Sequence, residues 1–275
     1  MKIAKIDHEG ETRIAFLSLG TTGEEGFWTV AEQRNLNEVF QGGDLTADPG
    51  QTVLQDPQFL APYAGGTIFG IGLNFRDTIS EMNFPVPQTP YLFPKLSSSV
   101  TGHGEPILAD PEVTTEVDWE GELAVIIGRT ARNVPRENAL DVVFGYTAAN
   151  DVSARDVQRE DPQWVRGKGL DGFCPLGPLV VTADEIPDPQ NVGIRTWVNG
   201  EIVQDGNTSD MLFTVAELIE YLSRYFTLQP GDVILTGTPS GCGGFLNPPR
   251  FVSGGDTMTV EVAGIGRLSN PVDAP

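Results

Sequence analysis

The chain has 275 residues, which is enough for one large domain or for a domain with a small addition. Its 17 basic and 38 acidic residues give a formal net charge of −21 at pH 7. A surface this acidic repels phosphate backbones and anionic bilayers, so we expect neither nucleic acid nor a membrane as a partner. There is no apolar signal region at the start and no run of roughly 18 apolar residues, so we expect a cytoplasmic protein.

The cysteine and histidine content restricts the kinds of site that this chain can build. It contains two cysteines, Cys174 and Cys242, and two histidines, His8 and His103. Two cysteines are too few for a disulfide framework, and the four residues together lack the usual pattern of a zinc site. We therefore expect neither a disulfide framework nor structural zinc.

The first 60 residues are predicted to form a small α/β module. Two apolar runs at residues 3–6 and 14–19 flank a short polar turn, a pattern typical of a β-hairpin. Residues 30–40 predict a short helix. The composition then changes, and we predict that residues 66–275 form the main domain.

Strands dominate the predicted main domain. Asn199-Gly200 between two apolar runs predicts a type I′ hairpin. Thr214 and Glu217 match a capping box, so we expect one helix to begin there. Strands outnumber helices and do not alternate regularly with them, which favours a mixed, β-rich α+β fold. The predicted strands cover residues 67–72, 123–127, 142–149, 179–182, 194–198, 233–236 and 258–262.

Two glutamates precede the strongly apolar strand predicted at residues 123–127. Glu120 and Glu122 are separated by one residue, and side chains at i and i+2 of a strand point to the same face. Adjacent buried carboxylates are costly unless a cation lies between them, and a divalent metal is the simplest such cation. The alternative is that the strand end is solvated and that both glutamates face water.

Three later segments add polar groups to this candidate site. Asp151 follows the strand at 142–149 and would supply a third oxygen ligand for octahedral Mg²⁺ or Mn²⁺, although it could equally cap the next helix. Lys168 lies between two glycines, where its charge would offset the carboxylates or hold an acidic substrate; the alternative is an exposed loop lysine. The loop that contains Gly237 and Thr238 could present N–H groups and hydroxyls to a carboxylate.

Taken in order along the chain, several short segments resemble those of the fumarylacetoacetate hydrolase family. The resemblance implies a mixed β-sandwich roll that is usually dimeric, preceded by a small variable N-terminal domain. The matching segments are Ile71-Gly72-Leu73-Asn74-Phe75, Leu92-Phe93-Pro94-Lys95, Asp118-Trp119-Glu120-Gly121-Glu122-Leu123-Ala124-Val125, Asn150-Asp151-Val152-Ser153-Ala154-Arg155-Asp156, Arg166-Gly167-Lys168-Gly169, Cys174-Pro175-Leu176-Gly177-Pro178, Trp197-Val198-Asn199-Gly200 and Pro230-Gly231-Asp232-Val233-Ile234-Leu235-Thr236-Gly237-Thr238-Pro239.

The resemblance also implies a set of functional residues and a homodimer. The implied ligands of Mg²⁺ or Mn²⁺ are Glu120, Glu122 and Asp151. The implied catalytic and substrate-binding residues are Lys168, Glu81, Arg155, Gly237 and Thr238.

Members of this family act on small 2-oxo acids. The oxo and carboxylate oxygens of such a substrate can chelate one metal, which stabilises an enolate. We predict metal-dependent hydrolysis of the C–C bond of an acylpyruvate-like (fumarylacetoacetate-like) 2-oxo acid. The alternatives are decarboxylation of an oxaloacetate-like acid, isomerisation of an unsaturated dioate, or a catalytically inactive relative that binds a 2-oxo acid.

One position departs from the pattern of the hydrolytic members. Those members carry a histidine and, three residues later, a glutamate, and here the two positions hold Thr78 and Glu81. A threonine hydroxyl is no base at pH 7, so the activation of water lacks its usual group. The candidate replacements are Asp77, Glu81 and His103, although a loop role explains His103 more simply. The departure favours decarboxylation or isomerisation.

Overall fold

The computed structural model describes residues 1–18, 26–50 and 53–274, which are dominated by strands. The strands are β1 (Lys2–His8), β2 (Glu11–Ser18), β3 (Phe27–Val30), β4 (Val53–Leu54), β5 (Gln58–Leu60), β6 (Ile68–Gly72), β7 (Tyr91–Lys95), β8 (Val100–Thr101), β9 (Ile107–Leu108), β10 (Val117–Asp118), β11 (Gly121–Ile127), β12 (Val143–Asn150), β13 (Ser153–Ala154), β14 (Cys174–Thr182), β15 (Gly193–Val198), β16 (Glu201–Asn207), β17 (Val233–Leu235), β18 (Thr257–Val262) and β19 (Gly266–Asp273). The α-helices are α1 (Leu36–Phe40), α2 (Arg76–Glu81), α3 (Arg155–Glu160), α4 (Val165–Lys168) and α5 (Val215–Tyr225). Short 3-10 helices occupy Ser97–Ser99, Arg136–Val142, Ala183–Glu185, Thr208–Asp210 and Gly243–Phe245. Among these residues, no helix has the length and apolarity needed to cross a bilayer.

Two large sheets carry most of the strands. The central sheet has the order β4-β3-β2-β1-β14-β12-β11-β17-β6-β7, with β5 added beside β1 and β8 beside β14. Its neighbours are antiparallel except for the pairs β17–β6 and β14–β8. A second sheet has the order β16-β15-β18-β19-β9, and β10 pairs with β13 by itself. This strand-rich arrangement with few helices confirms the predicted mixed α+β class.

The N-terminal strands are continuous with the central sheet. The predicted hairpin is confirmed, since β1 pairs with β2 from Ile3–Phe16 to His8–Glu11; Leu19, the end of the predicted second strand, lies outside the described residues. Strand β1 also pairs with β14, which joins the first 60 residues to the rest of the molecule. The boundary between residues 60 and 66 stays a prediction.

The helix predicted at residues 30–40 is wrong in extent. Val30 is the last residue of β3, and α1 begins only at Leu36. The reason lies at Asn35, whose side chain accepts a hydrogen bond from the Asn37 N–H and so caps the helix at that point. The apolar spacing of the segment is therefore shared between a strand end and a one-turn helix.

Strand β11 lies in the middle of the fold and is buried on both faces. Leu123 and Val125 pack in the largest hydrophobic cluster together with Leu218 of α5, whereas Ala124 and Ile126 belong to two other clusters on the opposite face. Burial on both sides explains why this segment is continuously apolar rather than alternating. The carboxylates at its start are thus carried by a strand that is buried along its whole length.

The two local signals in the main domain are confirmed. Asn199 and Gly200 have φ values of 52° and 82°, as a type I′ turn requires, and they connect β15 to β16. Thr214 caps α5, and its side chain and that of Glu217 form the reciprocal bonds of a capping box. The turn at Asn199-Gly200 fixes the register of β15 and β16, and the capping box fixes the start of α5.

Candidate metal centre

Three carboxylates converge at the start of β11. Glu120 immediately precedes β11, Glu122 is its second residue, and Asp151 immediately follows β12. The antiparallel register places Gly121 opposite Asn150, so the two strand ends meet, and the Asp151 N–H donates to the Glu120 carbonyl oxygen (2.9 Å). One oxygen of each carboxylate lies within 4.8 Å of the others, and all three residues are buried. The structure therefore brings together the three predicted metal ligands.

Glu122 is the carboxylate of this cluster whose ionisation is opposed by its surroundings. Burial, with the charges of Asp151 and Glu120, holds the pKa of Glu122 well above its usual value. The Lys168 ammonium and the Gly237 N–H, which donates to Glu122 Oε2 at 2.8 Å, act in the opposite direction without cancelling the rise. A divalent cation would compensate the same charges and keep Glu122 ionised.

Two lysines hold the two oxygens of Asp151. Lys95 Nζ donates to Oδ1 at 2.6 Å, and Lys168 Nζ donates to Oδ2 at 2.7 Å and to Glu120 Oε2 at 2.8 Å. Burial acts to lower the pKa of Lys168, but the charges of Asp151 and Glu120 outweigh burial and raise it. Lys168, with 1% exposure, is thus a buried cation and not the exposed loop lysine of the alternative hypothesis.

Lys95 belongs to this charged cluster, although the sequence predicted no role for it. Its Nζ also donates to the Phe173 carbonyl oxygen at 2.7 Å, so it is fully enclosed by acceptors. A signal was present in the sequence, because Phe93 and Lys95 are two residues apart in β7 and both point to the buried face. A lysine on the apolar face of a strand indicates a buried anion nearby.

The charged groups of the centre nearly balance without a metal. Three cations face four carboxylates, which leaves one negative charge if all are ionised, and a divalent ion would change this to one positive charge. The cations are Lys95, Lys168 and Arg155, and the carboxylates are Asp118, Glu120, Glu122 and Asp151. All potential ligands are carboxylate oxygens, which suits a hard cation such as Mg²⁺ or Mn²⁺. A positively charged site would also attract a 2-oxo acid anion.

Arg155 is anchored by protein carboxylates at the edge of the cluster. Its Nε donates to Asp118 Oδ2 at 2.7 Å, and its Nη2 lies 2.7 Å from Glu120 Oε1. Nη1 donates to Gln158 Oε1 at 3.0 Å, and the guanidinium lies 4.8 Å from the ring centroid of Phe245. The charges of Asp118 and Glu120 outweigh burial and raise the pKa of Arg155. Arg155 therefore fixes the orientation of Glu120 as well as lining the cavity.

The loop after β17 positions Glu122 and closes one side of the site. The predicted N–H donor is present at Gly237, but the carboxylate that it meets is the protein's own Glu122. Thr238 Oγ1 donates to the Gly121 carbonyl oxygen at 2.9 Å and accepts from Gln204 Nε2 at 2.8 Å. Because its hydrogen is already donated to the backbone, Thr238 offers a ligand only an acceptor.

A cavity of about 200 Å³ opens beside the carboxylates. Its charged end is formed by Glu120, Lys168 and Arg155, and the other polar lining residues are Thr78, Gln158, Arg159 and Thr238. The apolar lining residues are Ile71, Leu73, Met82, Trp164 and Phe245, of which Phe245 packs against the Arg155 guanidinium. The arrangement suits a small anion with its polar head against the carboxylate cluster.

Helix α2 covers this cavity, with Thr78 in the cavity lining and Glu81 outside it. Thr78 is buried at the cavity wall, and its Oγ1 donates to the Thr238 carbonyl oxygen at 2.8 Å. Glu81 is exposed and stands outside the cavity lining, where Oε2 accepts from the Gly241 N–H at 3.0 Å. Of these two positions, the structure brings only Thr78 into the cavity.

The other two candidate bases lie away from the cavity lining. Asp77 Oδ2 accepts hydrogen bonds from the N–H and the hydroxyl of Ser240, at 3.1 and 2.9 Å. His103 Nδ1 accepts from the Ser269 N–H at 3.1 Å, and its ring packs edge-on against Phe59. Burial lowers the pKa of His103. Asp77 therefore connects α2 to the loop after β17. His103 instead connects the loop between β8 and β9 to β19 of the second sheet.

The chain belongs to the fumarylacetoacetate hydrolase family. The family model described as "Fumarylacetoacetate (FAA) hydrolase C-terminal" matches residues 67–273. The mitochondrial oxaloacetate tautomerase of Xenopus laevis is 50% identical over 207 residues, which cover 74% of this chain and 65% of that protein. An oxaloacetate tautomerase of Bacillus subtilis is 45% identical over 213 residues, or 77% of this chain and 71% of its own.

Solved structures share the fold over the whole chain. A fumarylacetoacetate hydrolase from Exiguobacterium antarcticum has a TM-score of 0.90 and 40% identity, with complete coverage of both chains. A maleylpyruvate hydrolase from Sphingobium, in complex with manganese(II) and pyruvate, has a TM-score of 0.77 and 27% identity, covering 100% of this chain and 99% of its own. The similar proteins thus include both tautomerases and hydrolases.

Proposed function

We propose that the protein is a divalent-metal-dependent tautomerase of a small, oxaloacetate-like 2-oxo acid. The reaction moves a proton between C3 and the 2-oxo oxygen and so interconverts the enol and keto forms. The observation that carries the proposal is Thr78, which stands where hydrolytic members place a histidine and whose hydroxyl is donated to the Thr238 carbonyl. Tautomerisation needs no attacking water, so it does not require a base at this position. The similarity to two oxaloacetate tautomerases supports the same conclusion.

The metal would be Mg²⁺ or Mn²⁺, held by Glu120, Glu122 and Asp151. When bound, such an ion supplies Lewis-acid polarisation of the 2-oxo group. The manganese(II) in the similar maleylpyruvate hydrolase supports this assignment. The triad's oxygen-only donor set and the raised pKa of Glu122 agree with it.

Lys168 is the group that we propose to move the proton. Its ammonium lies at the charged end of the cavity, 2.8 Å from Glu120 and 2.7 Å from Asp151, which favour its protonated form. In the direction from enol to keto, Lys168 donates a proton to C3 and then takes the proton of the enol hydroxyl. The lysine returns to its starting state, and one C–H bond replaces one O–H bond.

Hydrolysis of an acylpyruvate C–C bond is the second candidate function. It is supported by the 40% identity and full-length similarity to a fumarylacetoacetate hydrolase. It requires a base that activates water, and of the three candidate replacements none lines the cavity: Asp77, Glu81 and His103 are engaged elsewhere. We therefore rank hydrolysis below tautomerisation.

The test compares two substrates in the presence of Mn²⁺ with and without a chelator. The ultraviolet absorbance of enol-oxaloacetate reports tautomerisation, and the loss of acetylpyruvate reports C–C cleavage. We expect chelator-sensitive loss of the oxaloacetate enol faster than the buffer reaction, with acetylpyruvate unchanged. Glu122→Gln should abolish this rate, whereas Glu160→Gln, at the exposed end of α3, should leave it intact. Acetylpyruvate cleavage without enol conversion would reverse the ranking, and no turnover of either acid would favour a binding protein.

Three further features belong to the proposal: a domain boundary between residues 60 and 66, assembly as a homodimer, and a cytoplasmic location. Light scattering of the purified protein tests the dimer, and a monomeric mass would refute it. The domain division is tested by limited proteolysis, which should cut first between residues 60 and 66.

A further inference from the structure

We propose that Trp164 determines the substrate specificity of the cavity, because its indole ring is a fixed wall that limits the group carried on C3 of the 2-oxo acid. The inference rests on the proposed function, since it defines which 2-oxo acids the same site accepts. It follows from the contacts of the ring, from the backbone conformation of Trp164 and from the link between Trp164 and Lys168.

The indole ring lies directly on the backbone of β6. A Cβ atom added to Gly72 would stand 2.7 Å from Trp164 Cζ3, a distance at which the ring or the strand must move. Gly72 is thus the position where the strand has no side chain and the ring takes its place. Both residues line the cavity, so the indole is part of the cavity surface and not only of the core.

Two further aromatic rings hold the indole from the side of β7. Its centroid lies 4.5 Å from that of Tyr91 and 5.7 Å from that of Phe93. Contacts with β6 and with two rings of β7 restrict the movement of the indole towards these strands, because packed side chains resist displacement. A ring held in this way excludes a substrate group by its shape.

The backbone ties this wall to the catalytic lysine. Trp164 has φ 63° and ψ 0°, a left-handed conformation that side-chain-bearing residues seldom adopt, and it precedes the single turn of α4. The Trp164 carbonyl oxygen accepts a hydrogen bond from the Lys168 N–H at 2.9 Å. The Phe93 ring that supports the indole also lies 5.1 Å from Lys168 Nζ. The wall therefore stands at a fixed position relative to the proton-carrying group.

The substrate class follows from this geometry. Oxaloacetate carries a small carboxylate on C3, whereas phenylpyruvate carries a phenyl ring there and undergoes the same enol–keto exchange. With the indole in place, the cavity accepts the small carboxylate beside the polar lining residues Gln158 and Arg159 and leaves too little room beside Trp164 for the phenyl ring. A phenyl group is smaller than an indole, so removal of the Trp164 side chain creates space in which phenylpyruvate fits.

The principal variant is Trp164→Gly, because glycine retains the left-handed backbone while it removes the wall. We expect the ratio of kcat/KM for phenylpyruvate to that for oxaloacetate, measured as enol conversion with Mn²⁺, to rise at least about 10-fold. Trp164→Phe keeps an aromatic wall and should change the ratio much less. Trp197→Phe in β15, where the ring packs against Arg267 outside the cavity, is the matched control and should leave it unchanged.

A second variant should reduce the space beside the indole instead of enlarging it. It keeps the proposal testable if Trp164→Gly does not fold. Gly72→Ala places a methyl group against the indole and should narrow the cavity, raising the KM for oxaloacetate. Calorimetric binding of phenylpyruvate to the Mn²⁺-loaded protein is the readout that does not depend on turnover. Phenylpyruvate should bind to Trp164→Gly and not to the original protein.

The outcomes separate this inference from the proposed function. Gain of phenylpyruvate binding by Trp164→Gly without turnover of either acid would support the wall and contradict the tautomerase. An unchanged ratio and unchanged binding in a folded Trp164→Gly protein would overturn the wall. A rate that falls equally for both acids, with no gain in binding, would also overturn it and leave Trp164 a purely structural residue.

Discussion

Lys95 Nζ lies 2.6 Å from Asp151 Oδ1, and both side chains are almost completely buried. The other oxygen of Asp151 is held by Lys168. One aspartate thus connects a structural cation on the β7 side with the cation that faces the cavity. The geometry of the metal triad depends on this pair, although Lys95 does not line the cavity.

Lys95→Met should weaken both the fold and the metal site. Removal of one partner of a buried ion pair typically costs about 3–5 kcal/mol, because the remaining charge is uncompensated. Loss of a residue that orients a ligand reduces metal affinity by about 10- to 100-fold. Denaturant unfolding and Mn²⁺ calorimetry measure the two effects. Lys2→Met, at the start of β1, is the control, and equal effects of the two changes would contradict the assignment.

Metal binding should strengthen as the pH rises. The pKa of Glu122 is raised by burial and by its carboxylate neighbours, so the metal-free folded protein holds this proton more tightly than the unfolded chain. The stabilisation that this proton provides is present below the unfolded pKa and is lost as the pH rises towards the folded pKa. An entering cation must displace the proton. Mn²⁺ calorimetry in buffers of different ionisation enthalpy should show proton release that Glu122→Gln reduces; no release at any pH would count against the triad.

Thr78→His should introduce C–C hydrolysis. Thr78 lines the cavity, and a histidine there would supply the base that activates water, an effect worth about 10²- to 10⁴-fold in general-base catalysis. We expect chelator-sensitive cleavage of acetylpyruvate to appear in this variant. Thr78→Val, which removes the hydroxyl without adding a base, should show none. Equal cleavage by the original protein and by Thr78→His would mean that another group already activates water.

Glu217→Gln should reduce stability at neutral pH and much less in acid. Burial opposes ionisation of Glu217, but hydrogen bonds from the Thr214 N–H and hydroxyl, with the charge of Arg136, outweigh it and lower the pKa. A lowered folded-state pKa contributes stability above the unfolded pKa, and this contribution is lost as the pH falls through the folded pKa. Thermal unfolding at neutral and acidic pH measures the difference. A penalty that does not change with pH would show that the charge of Glu217 is unimportant.

The sequence predicted the glutamate pair of the triad because its signal is local. Glu120 and Glu122 stand at i and i+2 before an apolar strand, so strand geometry places both carboxylates on one face. Asp151 also stands at a strand end, but the pairing of β11 with β12 is long-range, and the family resemblance joined Asp151 to the pair. Lys95 was given no role because its partner is far away in sequence, and no local pattern states which strand meets which. Helix α2 shows a second limitation, because helix phase and tertiary contacts decide that Thr78 lines the cavity and that Glu81 does not.

The prediction of a helix at residues 30–40 is wrong in extent for a physical reason. Val30, Val39 and Phe40 are apolar at spacings that a helix allows, but Val30 is used by β3. The pairing of β3 with β2 keeps Val30 in the strand, and the helix begins only after Asn35, whose side chain caps it.

The pairing of β1 with β14 has a consequence for any shortened form of the protein. Lys2 and Ile3 lie opposite Val181 and Val180, and on its other side β14 pairs with β12. A chain that started at residue 66 would leave this stretch of β14 with unsatisfied N–H and C=O groups next to buried valines. Such a bare, apolar strand edge is a template for edge-to-edge association between molecules. We therefore expect a chain that starts at residue 66 to associate with its own copies more readily than the full chain.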